Sequence, residues 1–411
     1  MTLQALQQTT PYARLRHDPD LVSEREGVAL CLSGGGFRNA LFHLGAVRRL
    51  NELGILCEVK TVSAVSGGTT LAAHLAATAS LWNDRPLDSE TWEHEIAAPF
   101  RRFTSENVGA RAVLKGWLPW HWNSNRPVMA LARTFEERGL SGMPLQALPS
   151  RPEFLFCATD LVSGTQWVLD RNSMMPMNVA TAAAISSWLL PPYAGDKGHR
   201  LMLADGGLAD WRGVEPVWRN HRLLLVSDGG DGYQPKWGRS MFWSISRLAS
   251  TISRHAQLFQ KRWLLASMLS QRLSGAYWGI DSASTHYQPE PSTRFPGYSA
   301  ALARDVIGTM RIDYDSCSDA EAAVLENHGY MLADAAARAH LTGFREAAIR
   351  IPHPAWLSEQ KVRYALRNSS RKVFLGRGRL RALFGRRHVG LGSPFAAETH
   401  TAVPTPVLSR T

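Results

Sequence analysis

Two neighbouring segments of the chain each place a glycine-rich turn between an apolar strand and a helix, and this arrangement constrains the fold most. In the first, the apolar run VALCL at residues 28–32 is followed by SGGG and then by FRNALFHLGAVRRLNELG, whose apolar residues recur at helical spacing. In the second, EVKTVSAV ends at Ser66, and TTLAAHLAATASLW follows two glycines as a second helix. Strands that alternate with helices in this way indicate a parallel sheet, so the sequence predicts an α/β fold.

Further segments extend this pattern along the 411 residues. The sequence predicts strands at EFLFCAT, TQWVLDR, LMLAD and RLLLVS, and helices at residues 178–190, 240–275 and 317–341. Two prolines, Pro352 and Pro354, indicate a boundary near residue 345. We therefore expect an N-terminal extension at residues 1–26, a main domain at 27–345 and a C-terminal tail at 346–411.

Cysteine usage and hydropathy exclude several classes of protein. The four cysteines are far apart and form no C-x-x-C pair, so neither a disulfide framework nor a zinc site is indicated. The N-terminus has no continuous apolar region, and no apolar run of about 18 residues occurs. We expect a protein of the reducing cytoplasm, with neither a cleaved signal nor a membrane-spanning helix.

Positive charge is concentrated near the C-terminus. Residues 361–387 contain ten Lys or Arg side chains and no Asp or Glu, in a chain of net charge +11. Apolar residues lie between these charges, so the segment is partly amphipathic. Anionic phosphate surfaces, either a lipid leaflet or a nucleic acid, fit such a segment. The alternative is a solvated tail that keeps the protein soluble.

The first glycine turn suits an anion. The carboxyl ends of parallel strands open into the crevice where α/β proteins bind ligands, and helices beginning there present unpaired N–H groups. Gly34, Gly35 and Gly36 place such donors at a helix N-terminus, where the helix dipole favours negative charge. Arg38 lies just inside this helix and either adds charge or braces the turn. On its own, the turn fits a phosphate group or a reaction oxyanion equally well.

The second glycine turn suits a nucleophile. A serine on a sharp strand-to-helix turn exposes its hydroxyl, and small neighbours are needed beside it. Ser66 is followed by Gly67 and Gly68, and Ala64 lies two residues before it. The alternative is that Ser66 caps the following helix with its side chain.

Asp205 is the candidate general base. It ends the predicted strand LMLAD and precedes two glycines, so we expect it at the same edge of the sheet as Ser66. A carboxylate can accept the serine proton directly when burial raises its pKa toward the working pH. The alternative is an ordinary Asp-Gly turn.

Together these three segments resemble the patatin-like phospholipase family. The family pattern is a G-G-G-x-R/K turn, a G-x-S-x-G elbow and a D-G-G/A turn, and this chain has GGGFR at 34–38, AVSGG at 64–68 and DGG at 205–207. The segment ATAAAISSWLLPP at 180–192 is similar to another part of that pattern. The resemblance covers about residues 27–235. It implies a three-layer α/β/α sandwich with a mostly parallel central sheet.

The resemblance also implies a lipid acyl hydrolase of the phospholipase A type, with a Ser-Asp dyad and no metal or other cofactor. It makes Ser66 the nucleophile and Asp205 the general base, with Gly35 and Gly36 as oxyanion donors. The remaining family positions complete the oxyanion turn and the elbow: Gly34, Arg38, Ala64, Gly67 and Gly68. The implied partner is an acyl-ester lipid. The charge of residues 361–387, rather than the resemblance, predicts an anionic membrane as a second partner, to which the cytoplasmic protein binds peripherally, and no nucleic acid is expected.

Two departures and three alternatives accompany this hypothesis. Ala64 replaces the first elbow glycine, and Asp210 stands near the position where many members have Asn. A Ser-Asp-His esterase would draw its histidine from His221 or His255. A nucleotide-binding protein would use GGGFR as a phosphate cradle, although no G-K-[ST] follows. A catalytically silent lipid-binding protein would keep the fold and the basic tail.

Overall fold

The structure is a computed structural model that describes residues 25–108, 125–195, 201–230, 241–287 and 295–371. Its centre is a mixed sheet of eight strands. In chain order the strands are β1 Val28–Leu32, β2 Val59–Val65, β3 Glu153–Asp160, β4 Thr165–Leu169, β5 Tyr193–Ala194, β6 Met202–Asp205, β7 Leu223–Asp228 and β8 Ser274–Gly279.

Five strands form a parallel core in the order β3-β2-β1-β7-β8. The three short strands β4, β5 and β6 are antiparallel additions on the β3 side. The sheet is therefore mostly parallel, as the sequence predicted.

The helices begin and end as follows: α1 Gly36–Glu52, α2 Gly67–Ala77, α3 Ala79–Trp82, α4 Ser89–Trp92, α5 Ala98–Thr104, α6 Arg126–Glu137, α7 Val179–Ser186, α8 Met241–Leu269, α9 Ala300–Leu302, α10 Asp319–His340 and α11 Glu359–Leu366. Two π-helical turns, Glu93–Ala97 and Ala303–Ile307, continue α4 and α9. No helix in these ranges is both long and apolar enough to cross a bilayer.

Side chains of the central strands alternate between two apolar cores. On β1, Leu30 and Leu32 enter the larger core, whereas Ala29 and Cys31 enter the smaller one. The larger core is covered by α1, α2, α7 and α10, and the smaller core receives Leu264 of α8. Strands buried on both faces are typical of parallel sheets between helical layers. The predicted three-layer α/β/α fold is confirmed.

Two strands were missed by the sequence analysis, the two-residue β5 and the longer β8. Helix α8 ends at Leu269 rather than near residue 275, and β8 follows it. The chain reverses at Gln271, which has φ 56°, and a Cβ on Gly275 would overlap the carbonyl of Leu224 on β7. Strand β8 thus depends on the close approach of its backbone to that of β7 at Gly275, and the spacing of apolar residues in the sequence does not predict such an approach.

The packed part of the chain extends beyond the predicted boundary at residue 345. Val362 and Leu366 of α11 are buried in the larger core, and Arg311 N–H donates to the Ser369 carbonyl at 2.9 Å. Residues 346–371 thus include side chains that pack on the domain, beyond the boundary that the sequence predicts. Residues 372–411, with the greater part of the basic segment, and residues 1–24 lie outside the described ranges.

Candidate active site

Ser66 lies on a strained turn between β2 and α2. Its backbone has φ 47° and ψ −117°, a region that costs a residue with a side chain about 1–3 kcal/mol. The side chain makes no capping hydrogen bond to α2, and the residue is only 5% exposed. The geometry is therefore that of an elbow, and the Ser66 side chain does not cap helix α2.

Neighbouring groups hold this elbow. Ser66 N–H donates to Ser186 Oγ at 2.8 Å, and Ser186 Oγ donates to the Cys157 carbonyl at 2.5 Å. A Cβ on Gly67 would overlap the backbone of Gly36, and a Cβ on Gly68 would overlap the carbonyl of Leu32. The two glycines thus let α2 approach the first glycine turn closely. Ala64 is fully buried in β2, so a methyl group fits at that position.

The first glycine turn faces Ser66. An ideal Cβ on Gly34 would lie 3.2 Å from the Cβ of Ser66, so the two turns are in contact. Gly34 N–H donates to the Trp211 carbonyl at 2.9 Å. Gly35 and Gly36, with φ of 132° and 62°, donate their N–H groups to no atom of the described chain. These two N–H groups are therefore available to a bound group.

Arg38 braces the turn from behind. Its buried guanidinium donates to four backbone carbonyls, those of Gly229, Gly230, Gly308 and Met310, and to Asn39 Oδ1. Asn39 in turn donates to the Gly34 carbonyl. Of the two roles left open by the sequence, the structure shows bracing.

The register of three strands brings Asp205 to Ser66. Strand β4 pairs with residues 156–160 of β3, so it occupies the side of β3 that β2 does not. Strand β6 pairs with residues 158–160 and must lie on the β2 side. Val65 of β2 pairs with Cys157 of β3, and Asp205 of β6 pairs with the next residue of β3, Ala158. Strand β6 therefore follows β2 end to end along the same side of β3 and runs in the opposite direction.

The Asp205 carboxyl contacts the Ser66 hydroxyl. Burial raises the pKa of Asp205 to about 6, while hydrogen bonds from Gly207 N–H, at 2.7 Å, and from Ser66 act to lower it. The carboxylate is consequently ionised at neutral pH but basic enough to take up a proton.

Tyr314 was missed by the sequence analysis. Its hydroxyl donates to Ser187 Oγ at 2.6 Å and also interacts with the Ser66 hydroxyl. Burial raises the pKa of the phenol, which stays protonated. The preceding residue, Asp313, accepts Phe37 N–H at 3.0 Å, and its backbone leaves no space for a Cβ on Gly36. Tyr314 lies in an irregular loop far from the glycine turns in sequence, and no local pattern marks it.

The two histidines of the triad alternative lie elsewhere. His221 Nε2 bonds Thr61 Oγ1 at 2.8 Å, near the start of β2, whereas Ser66 follows the end of that strand. Burial lowers the pKa of His221. His255 is exposed on α8. Neither histidine contacts Ser66 or Asp205 in the described chain.

Asp210, the second departure from the family pattern, holds a turn. Its buried carboxylate accepts the N–H groups of Arg212, at 3.0 Å, and Glu215, at 2.7 Å. Among the described residues, no group of three or more His, Cys, Asp or Glu side chains could hold a metal ion.

Comparison with solved structures gave remote similarities. The chain is similar to VipD from Legionella pneumophila, with 13% identity, 77% of this chain and 67% of that chain covered, and a TM-score of 0.34. It is also similar to human GIVD cytosolic phospholipase A2, with 13% identity, 89% and 63% covered, and a TM-score of 0.37. It is similar as well to that human enzyme in complex with methyl gamma-linolenyl fluorophosphonate and terbium chloride. Here the identity is 18%, the match covers 54% of this chain and 42% of that chain, and the TM-score is 0.33. The chain thus spans between 42% and 67% of the length of these chains.

Comparison with curated proteins gave no match. A family profile described as patatin-like phospholipase matches residues 30–229, a range that contains both glycine turns, Ser66 and Asp205. This match supports a lipid-hydrolysing enzyme. The chain therefore carries a patatin-like phospholipase domain at residues 30–229.

Proposed function

We propose that the protein is a lipid acyl hydrolase of the phospholipase A type, a carboxylic ester hydrolase that works through a Ser66-Asp205 dyad. The observation that carries this proposal is the contact between the hydroxyl of Ser66, whose backbone is strained, and a half-buried carboxyl whose pKa is raised to about 6. A serine hydroxyl needs a base to become a nucleophile, and Asp205 is the carboxylate in contact with it.

The proposed reaction has two halves. Ser66 Oγ attacks the ester carbonyl carbon while its proton passes to Asp205, and the carbonyl oxygen becomes an oxyanion that accepts the N–H groups of Gly35 and Gly36. The C–O bond to the alcohol then breaks, and the leaving oxygen takes the proton from Asp205. In the second half, water gives a proton to Asp205 and attacks the acyl-enzyme, which releases the fatty acid and returns the proton to Ser66.

The position of the glycine turn favours an oxyanion site over a nucleotide phosphate cradle. Gly34 is packed against Ser66, so the free N–H groups of Gly35 and Gly36 lie beside the proposed nucleophile. The helix dipole of α1 adds positive potential at the same place. A phosphate cradle would leave the contact between Ser66 and Asp205 without a purpose.

We infer further that the substrate lies in a membrane and that the basic tail helps the protein reach it, as a cytoplasmic protein bound peripherally. The charge of residues 361–387 supports an anionic leaflet as partner. Because α11 is packed, we place the start of the proposed membrane-binding tail after Arg371 rather than after residue 345.

Labelling with a fluorophosphonate, which reacts with activated serines, tests the proposal. We expect the wild-type protein to be labelled and to release fatty acid, and the Ser66→Ala variant to do neither while keeping its melting temperature. Ser105→Ala, which changes an exposed serine, is the matched control and should behave as wild type. Undiminished ester hydrolysis by Ser66→Ala would exclude Ser66 as the nucleophile. A folded wild-type protein that neither reacts nor hydrolyses lipid would favour the silent binding alternative.

A further inference from the structure

The loop that follows residue 308 lies outside the family-matched residues 30–229, yet it reaches the dyad. Tyr314 OH donates to Ser187 Oγ at 2.6 Å, next to Ser186, which holds the elbow by accepting Ser66 N–H. The Tyr314 ring packs edge-on against Phe37 and Phe135, with centroid distances of 5.1 and 5.7 Å. The ring is thus fixed by aromatic contacts while its hydroxyl faces the elbow.

We propose that Tyr314 is a positioning residue that keeps Ser66 Oγ beside Asp205: the phenol oxygen contacts the Ser66 hydroxyl, and Ser187, which accepts the Tyr314 O–H, fixes the phenol. A free serine hydroxyl samples three staggered positions, and only some of them face the base. A phenol oxygen beside Ser66 restricts that choice, and Ser187 fixes the phenol itself. This inference rests on the proposed function, because it assigns an orientation to the proposed nucleophile.

Tyr314→Phe removes the hydroxyl and keeps the ring contacts. We expect kcat for a soluble short-chain ester and the rate of fluorophosphonate labelling to fall together on the order of tenfold, with KM unchanged. Tyr298→Phe is the matched control, because Tyr298 OH donates to the Trp356 carbonyl at 2.9 Å away from the site. The control should leave kcat and the labelling rate at wild-type values.

A double-variant cycle tests whether Ser187 acts through Tyr314. Ser187→Ala should lower kcat less than Tyr314→Phe, and the double variant should be no slower than Tyr314→Phe alone, because Ser187 acts on Ser66 only through the phenol. Wild-type kcat in Tyr314→Phe, or multiplicative losses in the double variant, would overturn the inference. Failure of the dyad itself is distinguishable, since it would show as activity that survives in Ser66→Ala.

A second, independent observation concerns the outer face of α8. Four exposed apolar residues, Leu248, Ile252, Phe259 and Trp263, fall within an arc of about 60° at 100° per residue and are 38–72% exposed, whereas the exposed Leu269 at the end of α8 lies outside this arc. The buried face carries Leu264 and lies elsewhere on the helix. We call these four residues the α8 stripe. Phe259 and Trp263 also line an open cavity of about 310 Å³ with Trp218.

The charges on α8 itself are all positive, although Lys261 pairs with Asp281 and the cavity beside Phe259 and Trp263 is also lined by Glu215. No Asp or Glu occurs between Asp231 and Asp281, and α8 carries three Arg and one Lys. We infer that the stripe docks on an anionic bilayer, with its apolar residues inserted and its cations among the headgroups. Pairing of two copies through this face is disfavoured, because it would bring like charges together.

Sedimentation of the full chain with vesicles tests this surface. We expect the double variant Leu248→Ser with Phe259→Ser to lose at least threefold of its binding to vesicles of phosphatidylcholine and phosphatidylserine, measured at high salt where the basic tail is screened. Met174→Ser changes a fully exposed methionine away from α8 and should bind as wild type. Equal binding by the double variant, or a loss of self-association without loss of vesicle binding, would overturn the inference.

Discussion

At the scale of single residues, the proposed chemistry depends on the environment of one carboxyl group. Asp205 lies half-buried beside Ser66, and its pKa of about 6 lies above that of an exposed Asp. The basic, ionised form therefore predominates above pH 6 and is lost below it. We expect kcat/KM for a soluble ester to rise with pH through about 6 and to be about tenfold below its plateau at pH 5. A rate that is flat between pH 5 and 7 would assign the base to another group.

Asp205→Asn tests the same group by substitution. An amide cannot accept the serine proton, so we expect kcat to fall by a factor on the order of 10² to 10⁴. His221→Ala and His255→Ala are the comparison variants and should keep wild-type kcat, because neither histidine contacts the dyad in the described chain. Loss of activity in a histidine variant with retention in Asp205→Asn would support the Ser-Asp-His alternative.

At the scale of elements, the site depends on how closely helix α2 approaches the turn before α1. Because a Cβ on Gly67 would overlap the backbone of Gly36, Gly67→Ala must displace one of the two helix N-termini. We expect esterase activity to fall at least tenfold, since the proposed oxyanion donors move with Gly36. Gly142→Ala is the matched control, because its nearest neighbour is a Glu136 side-chain atom at 3.6 Å. Wild-type activity in Gly67→Ala would show that the turn tolerates the shift.

Arg38 joins α1 to two loops that are distant from it in the chain, one at Gly229 and Gly230 and one at residues 308–310. Arg38→Gln removes the buried donors to the carbonyls of Gly229, Gly230, Gly308 and Met310. Buried carbonyls left without donors cost about 1–3 kcal/mol each, so we expect the free energy of unfolding to fall by about 2 kcal/mol or more. Denaturant titration measures this, with Arg102→Gln at an exposed position as control. An unchanged midpoint would contradict the bracing role.

The features that could be predicted from the sequence are those set by residues close together in the chain. Both strand-turn-helix units and the positions of Ser66 and Asp205 at one edge follow from hydrophobic runs and glycine placement. The place of Tyr314 in the site and the strand β8 could not be predicted in this way, since each is positioned by contacts with residues distant in the chain. The buried role of Val362 and Leu366 was also missed, because the neighbouring Lys and Arg residues dominate the composition of that segment.

At the scale of the whole molecule, the C-terminal segment divides into a packed part and a basic part. Truncation after Arg371 leaves α11 in place, so we expect it to weaken binding to anionic vesicles and to keep soluble-ester activity. Truncation after Gln360 also removes Val362, Leu366 and the Ser369 carbonyl that accepts Arg311 N–H. We expect this shorter chain to be destabilised and to lose soluble-ester activity. If the two truncated chains bind vesicles equally and hydrolyse the soluble ester equally, the packed part and the basic part do not have the separate roles expected here.

The end-to-end placement of β2 and β6 along β3 makes the site sensitive to strand register. Val65 and Asp205 stand opposite consecutive residues of β3, so a slip of β6 by two residues would carry the carboxyl about 7 Å away while leaving the same faces buried. Such a chain would keep its helices and most of its core. Under the proposed mechanism, fluorophosphonate labelling would then distinguish correctly registered molecules from near-native ones that circular dichroism counts as folded.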